Sequence, residues 1–280
     1  MLRPSPGSAD LAFEQERARP HAGRPEPLPL IRPRDEKLPL SSVEQEVGIA
    51  ARQQARGRGS RLGGANGRLV VCEQDPAAVA LVDPATGESE TMVDSWRGLR
   101  LNSPNDVVVK RDGSVWFTDP SYGFLQGFRP PPEVGDFVYR YDPAGDRLTV
   151  VADSFDKPNG LALSSDEAVL YVGNWDPEHK VLMRYEIDGG GGRGEVLFDM
   201  THAPGEDAID GIKVDREGNL YVCGPGGIWV LSPEGEKLGL LSLPEDPHNL
   251  AWGGADGRDL YVTALTSVYR MRLGIPGVRP

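Results

Sequence analysis

The sequence is poor in the features that define several classes of protein. Only two of its 280 residues are cysteines, Cys72 and Cys223, and neither has a CxxC partner, so we expect no disulfide framework and no cysteine zinc site. No apolar run approaches the ~18 residues that a membrane span requires. The first 20 residues contain no apolar signal core. We therefore expect a cytoplasmic protein without a membrane partner.

Basic residues are fewer than acidic ones. The chain carries 30 lysines and arginines and 42 aspartates and glutamates, which gives a net charge of −12. Non-specific nucleic-acid binding depends on neutralising phosphates with basic side chains. The charge balance therefore argues against a nucleic-acid partner, and the acidic body suits either a cation site or plain solubility.

Glycine and proline are abundant, at 35 and 25 residues, whereas apolar residues make up only 39%. This composition indicates many turns and short strands, together with some sequence that does not pack into a core. Residues 1–67 are rich in proline, glycine and arginine, and we expect a low-complexity lead there, with at most a short helix within 41–58. Residues 68–280 are expected to form the folded domain.

A repeat begins at Gly67. Five apolar runs, each preceded by turn residues, can be superposed at Cys72, Thr118, Gly173, Cys223 and Thr263, with spacings of 46, 55, 50 and 40 residues. Such an interval is typical of one four-stranded propeller blade per repeat. A β-sandwich also has short, regularly spaced strands, but it does not predict self-similarity at this period. The repeat favours an all-β propeller.

One stretch combines a hairpin signal with polar side chains. Strand-like residues up to Val109 and from Val115 flank an Asp-Gly turn, which predicts a hairpin. Asn102, Asn105 and Asp106 precede the first strand. Their oxygens could bind a hard cation or a polar ligand, or these residues could simply form a turn.

The repeat distinguishes these alternatives, because residues at the same phase should converge at the mouth of a propeller. The matching positions are Asn105, Asn159, Asp210 and Asn249. A ring of amide and carboxylate oxygens suits Ca²⁺. It suits Zn²⁺ less well, since His248 is the only histidine nearby and we expect that residue to be structural. The alternative is that all four residues cap turns.

Three segments resemble the gluconolactonase family, which includes the senescence marker protein regucalcin. They are LNSPNDVVVKRDGSVWFTDPSYGF, KPNGLALSSDEAVLYVGN and IDGIKVDREGNLYV, and the resemblance covers about residues 68–273. It implies a six-bladed β-propeller of four-stranded antiparallel blades with one divalent cation in its central channel. It also implies a small-molecule lactone substrate, such as a sugar lactone, that is hydrolysed.

The resemblance also implies roles for individual residues. Asn159 and Asp210 match metal ligands, Asp210 matches the proton donor and acceptor, and Asn105 matches a residue that touches metal or substrate. Asp106 is expected either to support Asn105 at the substrate or to cap a turn. Tyr122 is expected at the substrate, with packing as the alternative for it and for Phe124. The expected ion is Ca²⁺, with Zn²⁺ or Mg²⁺ as alternatives. Trp175 and His179 lie on a loop that could form part of the rim.

The sequence departs from the family at its beginning. Family members carry a Glu-Gly-Pro motif in the first blade, whose glutamate is the remaining metal ligand, and no such motif precedes Gly67. We therefore expect the first blade to be replaced and the ligand set to lack one anion. The alternative to a metal-dependent lactone hydrolase is an impaired propeller that binds a ligand or a protein.

Overall fold

The structure is a computed structural model. It describes residues 67–187, 194–205 and 207–278, together with the backbone of Glu36–Lys37 and Arg58–Gly63. The helix predicted within 41–58 lies outside these residues, except that Arg58 begins a strand. Within the described ranges, no helix has both the length and the apolar character needed to cross a membrane.

Five four-stranded antiparallel sheets form five blades, each named here by its order along the chain. Blade 1 contains β2 (Arg58–Gly63), β3 (Leu69–Gln74), β4 (Ala77–Val82) and β5 (Ser89–Val93). Blade 2 contains β8 (Val107–Val109), β9 (Val115–Asp119), β10 (Phe137–Asp142) and β11 (Arg147–Ala152). Between these blades lies a two-stranded ribbon of β6 (Ser95–Trp96) and β7 (Leu99–Arg100).

The next blades repeat this order. Blade 3 contains β12 (Pro158–Leu163), β13 (Val169–Asn174), β14 (Val181–Glu186) and β15 (Glu195–Asp199). Blade 4 contains β16 (Ile212–Val214), β17 (Leu220–Gly224), β18 (Gly227–Leu231) and β19 (Lys237–Leu241). The short helix α1 (Tyr122–Leu125) follows β9 in blade 2.

Blade 5 is completed by a strand from the lead. It contains β20 (Pro247–Gly253), β21 (Asp259–Ala264), β22 (Val268–Arg272) and β1 (Glu36–Lys37). Glu36 pairs with Arg270, and Lys37 pairs with Tyr269. The lead therefore contributes β1 and β2 to the propeller, which its proline- and glycine-rich composition did not reveal. Both strands precede residue 68, where the folded domain is predicted to begin, and the division of the chain at that residue stays a prediction.

The predicted hairpin is confirmed. β8 pairs with β9, and the turn between them ends at Gly113, whose φ of +85° lies in the left-handed region that glycine tolerates. The five superposed runs are β3, β9, β13, β17 and β21, the second strand of each blade. Cys72 and Cys223 are fully buried in two of them, as free thiols.

The core consists of apolar layers between neighbouring blades. Strand β17 shows how they arise, since its side chains alternate between the two faces of blade 4. Leu220 and Val222 pack towards blade 3, whereas Tyr221 and Cys223 pack towards blade 5. Equivalent layers join blade 1 to blade 2 and blade 2 to blade 3. Both faces of a blade are thus buried, which explains why the second strands are continuous apolar runs and establishes a propeller rather than a sandwich.

The described residues confirm five blades, and the sixth stays a prediction. Leu69, Val71 and Val82 form a small cluster on the face of blade 1 that points away from blade 2. In the part of the chain that is described, no buried apolar cluster joins this face to blade 5.

Candidate site at the mouth of the propeller

The four matching polar residues lie at the same end of successive blades. Asn105 precedes β8, Asn159 is in β12, Asp210 precedes β16 and Asn249 is in β20. Each of these is the first strand of its blade. The backbone N–H of Asn105 donates to Thr118, and that of Asp210 donates to Cys223, on the second strand of the same blade. The repeat phase predicted this arrangement.

Asn105 and Asn159 meet directly across the boundary between blades 2 and 3. The Asn105 Nδ2 donates to Oδ1 of Asn159 at 2.5 Å, and both residues are buried. Oδ1 of Asn105 accepts from Nε2 of Gln74, at the end of β3, at 3.4 Å. Blades 1, 2 and 3 are therefore linked by amide side chains at the mouth.

Asp210 joins this group from blade 4. Its backbone carbonyl lies so close to Gly160 that a Cβ at that position would overlap it. Its Oδ2 lies 3.8 Å from Nδ1 of His248, a half-exposed residue of blade 5. Burial raises the pKa of Asp210 well above its usual range, and the nearby carboxylates of Asp207 and Asp106 raise it further. A buried carboxylate among other carboxylates is an environment that a cation would stabilise.

The Tyr122 hydroxyl faces the same space from the first position of α1. Its oxygen is buried beside the Asn159 side chain, and it makes no hydrogen bond of normal geometry to a described residue. Burial raises the pKa of Tyr122 well above its usual range, with the charge of Asp210 as the next cause. The hydroxyl therefore stays protonated and keeps a donor available to a ligand. Phe124, two residues later, is exposed and does not line this space.

Both carboxylate oxygens of Asp106 accept hydrogen bonds from backbone N–H groups. Its Oδ1 accepts from the backbone N–H of Val107 at 3.0 Å, and its Oδ2 accepts from the N–H of Leu161 in blade 3, also at 3.0 Å. Asp106 is almost fully buried. Asp106 therefore caps the start of β8 and also links the inner strands of blades 2 and 3. Its role in substrate binding stays a prediction.

Trp175 and Asp207 also lie at this mouth, although Asp207 was not recognised in the sequence. The Trp175 ring packs edge-on against Tyr122, with centroids 6.2 Å apart and planes at 87°. Gln74 and Trp175 both occur two residues after the superposed positions Cys72 and Gly173. Trp175 is already among the predicted rim residues, and extending the repeat comparison by two residues adds Gln74. His179 is exposed on the loop after Trp175.

A divalent cation at the mouth would meet oxygen donors. Asn105, Asn159 and Asp210 offer the hard oxygen donors that Ca²⁺ prefers. Only one of the three is a carboxylate, and the described residues contain no group of three His, Cys, Asp or Glu residues that could hold a metal. The donors fit the ion in kind, and a complete shell needs a further ligand. Of the carboxylates of the lead, Glu36 is described by its backbone alone, and Glu26, Asp35, Glu44 and Glu46 lie outside the described residues.

A second buried carboxylate fixes the loop that carries Asn105. Asp119 accepts from the backbone N–H groups of Asn102 and Ser103, at 2.9 and 2.7 Å. Burial raises the pKa of Asp119 to about 7, and the charge of Asp136 contributes. Asp136 itself has a pKa raised by burial to about 6.

These shifts predict a pH-dependent stability. The folded-state pKa of Asp119 exceeds its unfolded value, so protonated Asp119 stabilises the folded state. This contribution to the free energy of unfolding is complete below about pH 4 and is lost as the pH rises through about 7. We expect the free energy of unfolding, measured with urea, to fall between pH 5 and pH 8. The Asp119→Asn variant is expected to be less stable throughout but to show a shallower decline. An equal decline in both proteins would contradict this assignment.

Comparisons with known proteins bear on the family and the fold. Residues 39–266 match the family model described as the SMP-30/Gluconolactonase/LRE-like region. A gluconolactonase from Zymomonas mobilis is 35% identical over 221 residues, which cover 75% of this chain and 61% of the relative. The lactonohydrolase oryL from Aspergillus oryzae is 28% identical, over 70% of this chain and 50% of the relative.

A solved structure of a gluconolactonase from Xanthomonas campestris superposes with a TM-score of 0.71 at 30% identity, covering 78% of this chain and 72% of that one. The chain spans between half and about three fifths of the length of the two curated relatives. The family match itself extends over most of the sequence and begins inside the lead. The chain therefore belongs to the SMP-30/gluconolactonase/LRE-like family.

Proposed function

We propose that this protein is a lactone hydrolase that uses a divalent cation, with Ca²⁺ as the expected ion and a sugar lactone as the expected substrate. The observation that carries the proposal is the placement of the buried residues Asn105, Asn159 and Asp210 at the same end of three successive blades. There, Asn105 Nδ2 donates to Asn159 Oδ1, and the Asp210 backbone lies against Gly160, the neighbour of Asn159. The similarity to gluconolactonases supports the substrate class.

The cation would be held by Asn159 and Asp210, with Asn105 at the metal or the substrate. When bound, such an ion acts as a Lewis acid that polarises a carbonyl oxygen and stabilises negative charge on it. The protein has no need of a serine nucleophile in this reaction, because water can attack the lactone directly.

The Asp210 side chain carries out both proton transfers. Asp210 takes a proton from the attacking water, and the water oxygen bonds to the lactone carbonyl carbon. The ring carbon–oxygen bond then breaks, and the proton returns from Asp210 to the ring oxygen, which gives a hydroxy acid. Burial raises the pKa of Asp210, which makes its carboxylate a stronger base than that of an ordinary aspartate. The Tyr122 hydroxyl donates a hydrogen bond to an oxygen of the bound lactone.

Removal of the cation tests this proposal. We expect chelation with EDTA to abolish hydrolysis of glucono-δ-lactone above the spontaneous rate, and added Ca²⁺ to restore it. Titration calorimetry of the chelated protein should reveal one Ca²⁺ site, which weakens at least about 10-fold in Asn159→Ala because an oxygen ligand is lost. Full activity in EDTA would contradict the metal dependence.

A ligand-binding propeller without hydrolytic activity is the second candidate. It is favoured by the single carboxylate among the three described donors, because cation affinity follows the charge of the ligands. The same titration separates the two candidates, since this one predicts no cation site and no turnover.

A further inference from the structure

The loop after β13 and the loop before β16 are joined by side-chain hydrogen bonds, one of which lies at the mouth. Trp175 Nε1 donates to Oδ1 of Asp207 at 3.3 Å. On its other side, the Trp175 ring packs against Tyr122, whose hydroxyl lies in the proposed site. The steps described above use neither Trp175 nor Asp207, although both adjoin the residues that do.

The two carboxylate oxygens of Asp207 differ in their hydrogen bonds to the protein. Oδ1 accepts from Trp175 and from the backbone N–H of Ala208, at 3.3 and 3.0 Å. Oδ2 makes no hydrogen bond to any residue that the structure describes. Because Trp175 packs against Tyr122, the Asp207 carboxylate bound to Trp175 adjoins the proposed site.

We infer that Trp175 and Asp207 form the subsite that recognises the hydroxyl groups of a polyhydroxylated lactone. Oδ2 of Asp207 accepts hydrogen bonds from ring hydroxyls, and the indole provides a broad, rigid surface for the carbon–hydrogen face of the ring. A site that pairs a buried or half-buried polar group with a substrate hydroxyl discriminates strongly against a substrate that lacks it. This inference rests on the proposed function and adds the groups that select the substrate.

Comparison of two lactones tests the subsite. Glucono-δ-lactone carries the hydroxyls, and δ-valerolactone has the same ring without them. We expect Asp207→Asn and Trp175→Phe to lower the ratio of kcat/KM for glucono-δ-lactone to that for δ-valerolactone by about 10-fold or more, because hydrogen bonds to a charged group are lost. The loss should appear mainly as a higher KM for glucono-δ-lactone.

The Asp207→Asn variant keeps an Oδ1 that can accept from Trp175, so the contact between the two loops is retained. Its change in charge beside Asp210 affects the chemistry of both lactones alike and cancels in the ratio. Asp176→Asn, on the same loop as Trp175, serves as the matched control and should leave the ratio within about 2-fold, since Asp176 pairs with Lys157 at 3.9 Å.

The outcomes separate the subsite from the function. An unchanged ratio, with equal losses on both lactones, would overturn the subsite and leave the hydrolase intact. If the wild-type protein hydrolyses neither lactone, the proposed function falls and the subsite falls with it. A selective loss on glucono-δ-lactone in both variants supports the assignment.

Discussion

Replacing Asp210 by alanine is expected to abolish lactone hydrolysis and cation binding in the same variant. Asp210 is the only carboxylate among the three converging oxygen donors, and it is also the proposed proton acceptor for water. Loss of a general base alone costs about 100-fold or more in rate. Because the cation loses its one described anionic ligand as well, we expect no turnover above the spontaneous reaction and no heat of Ca²⁺ binding.

This prediction is tested by measuring activity and Ca²⁺ binding in Asp210→Ala and in a control variant. Asp166→Asn is the matched control, since Asp166 is exposed in the turn between β12 and β13, at the opposite end of a blade from the mouth. It should retain both activity and Ca²⁺ binding. Turnover by Asp210→Ala at the wild-type rate would remove Asp210 from both proposed roles. Retained Ca²⁺ binding without turnover would limit Asp210 to the proton transfer.

Replacing Gly160 by alanine is expected to destabilise the fold and weaken cation binding together. A Cβ at this position would overlap the carbonyl oxygen of Asp210 and lie 3.0 Å from the Cα of Gly211. Both neighbours are backbone atoms, so relief requires the inner strands of blades 3 and 4 to separate. Overpacking of this kind costs about 1–3 kcal/mol in unfolding free energy. The separation would also move Asn159 away from Asp210.

Gly239 offers the control for this substitution. It lies in β19, where a Cβ would meet no atom within 4 Å. Gly239→Ala is therefore expected to be neutral or slightly stabilising, because alanine restricts the unfolded chain. Urea unfolding and Ca²⁺ titration of the two variants provide the comparison. Equal stability of Gly160→Ala and Gly239→Ala would show that the two inner strands can separate without cost.

The repeat made much of the architecture predictable from the sequence. Each second strand is apolar on both faces because two neighbouring blades bury it, and this produced the runs that could be superposed. The phase of Asn105, Asn159 and Asp210 followed from the same regularity. β1 and β2 were not predictable, because their partners are remote or their composition favours turns. The strand β1 is defined by the pairing of Glu36 with Arg270 and of Lys37 with Tyr269.

Side-chain partners at the mouth were less predictable than backbone positions. Asp106 is predicted equally well as a cap or as a substrate contact, and only the N–H of Leu161, 55 residues away, shows where its second oxygen is used. Trp175 and Asp207 meet because loops from two blades converge. Neither loop carries a local pattern that specifies the other, so the bond between them depends on the assembled propeller.

The pairing of β1 with β22 has a consequence for the order of events during synthesis. Blades 1 to 4 each use one continuous stretch of chain, and so each can form as soon as that stretch leaves the ribosome. Blade 5 needs both Glu36 and Arg270, and all of blades 1 to 4 lies between these two residues in the chain. Contacts between residues so far apart in the chain form slowly. The sheet that carries Asn249 is therefore completed last, and the proposed site acquires its final surroundings only when the two regions of the chain have found each other.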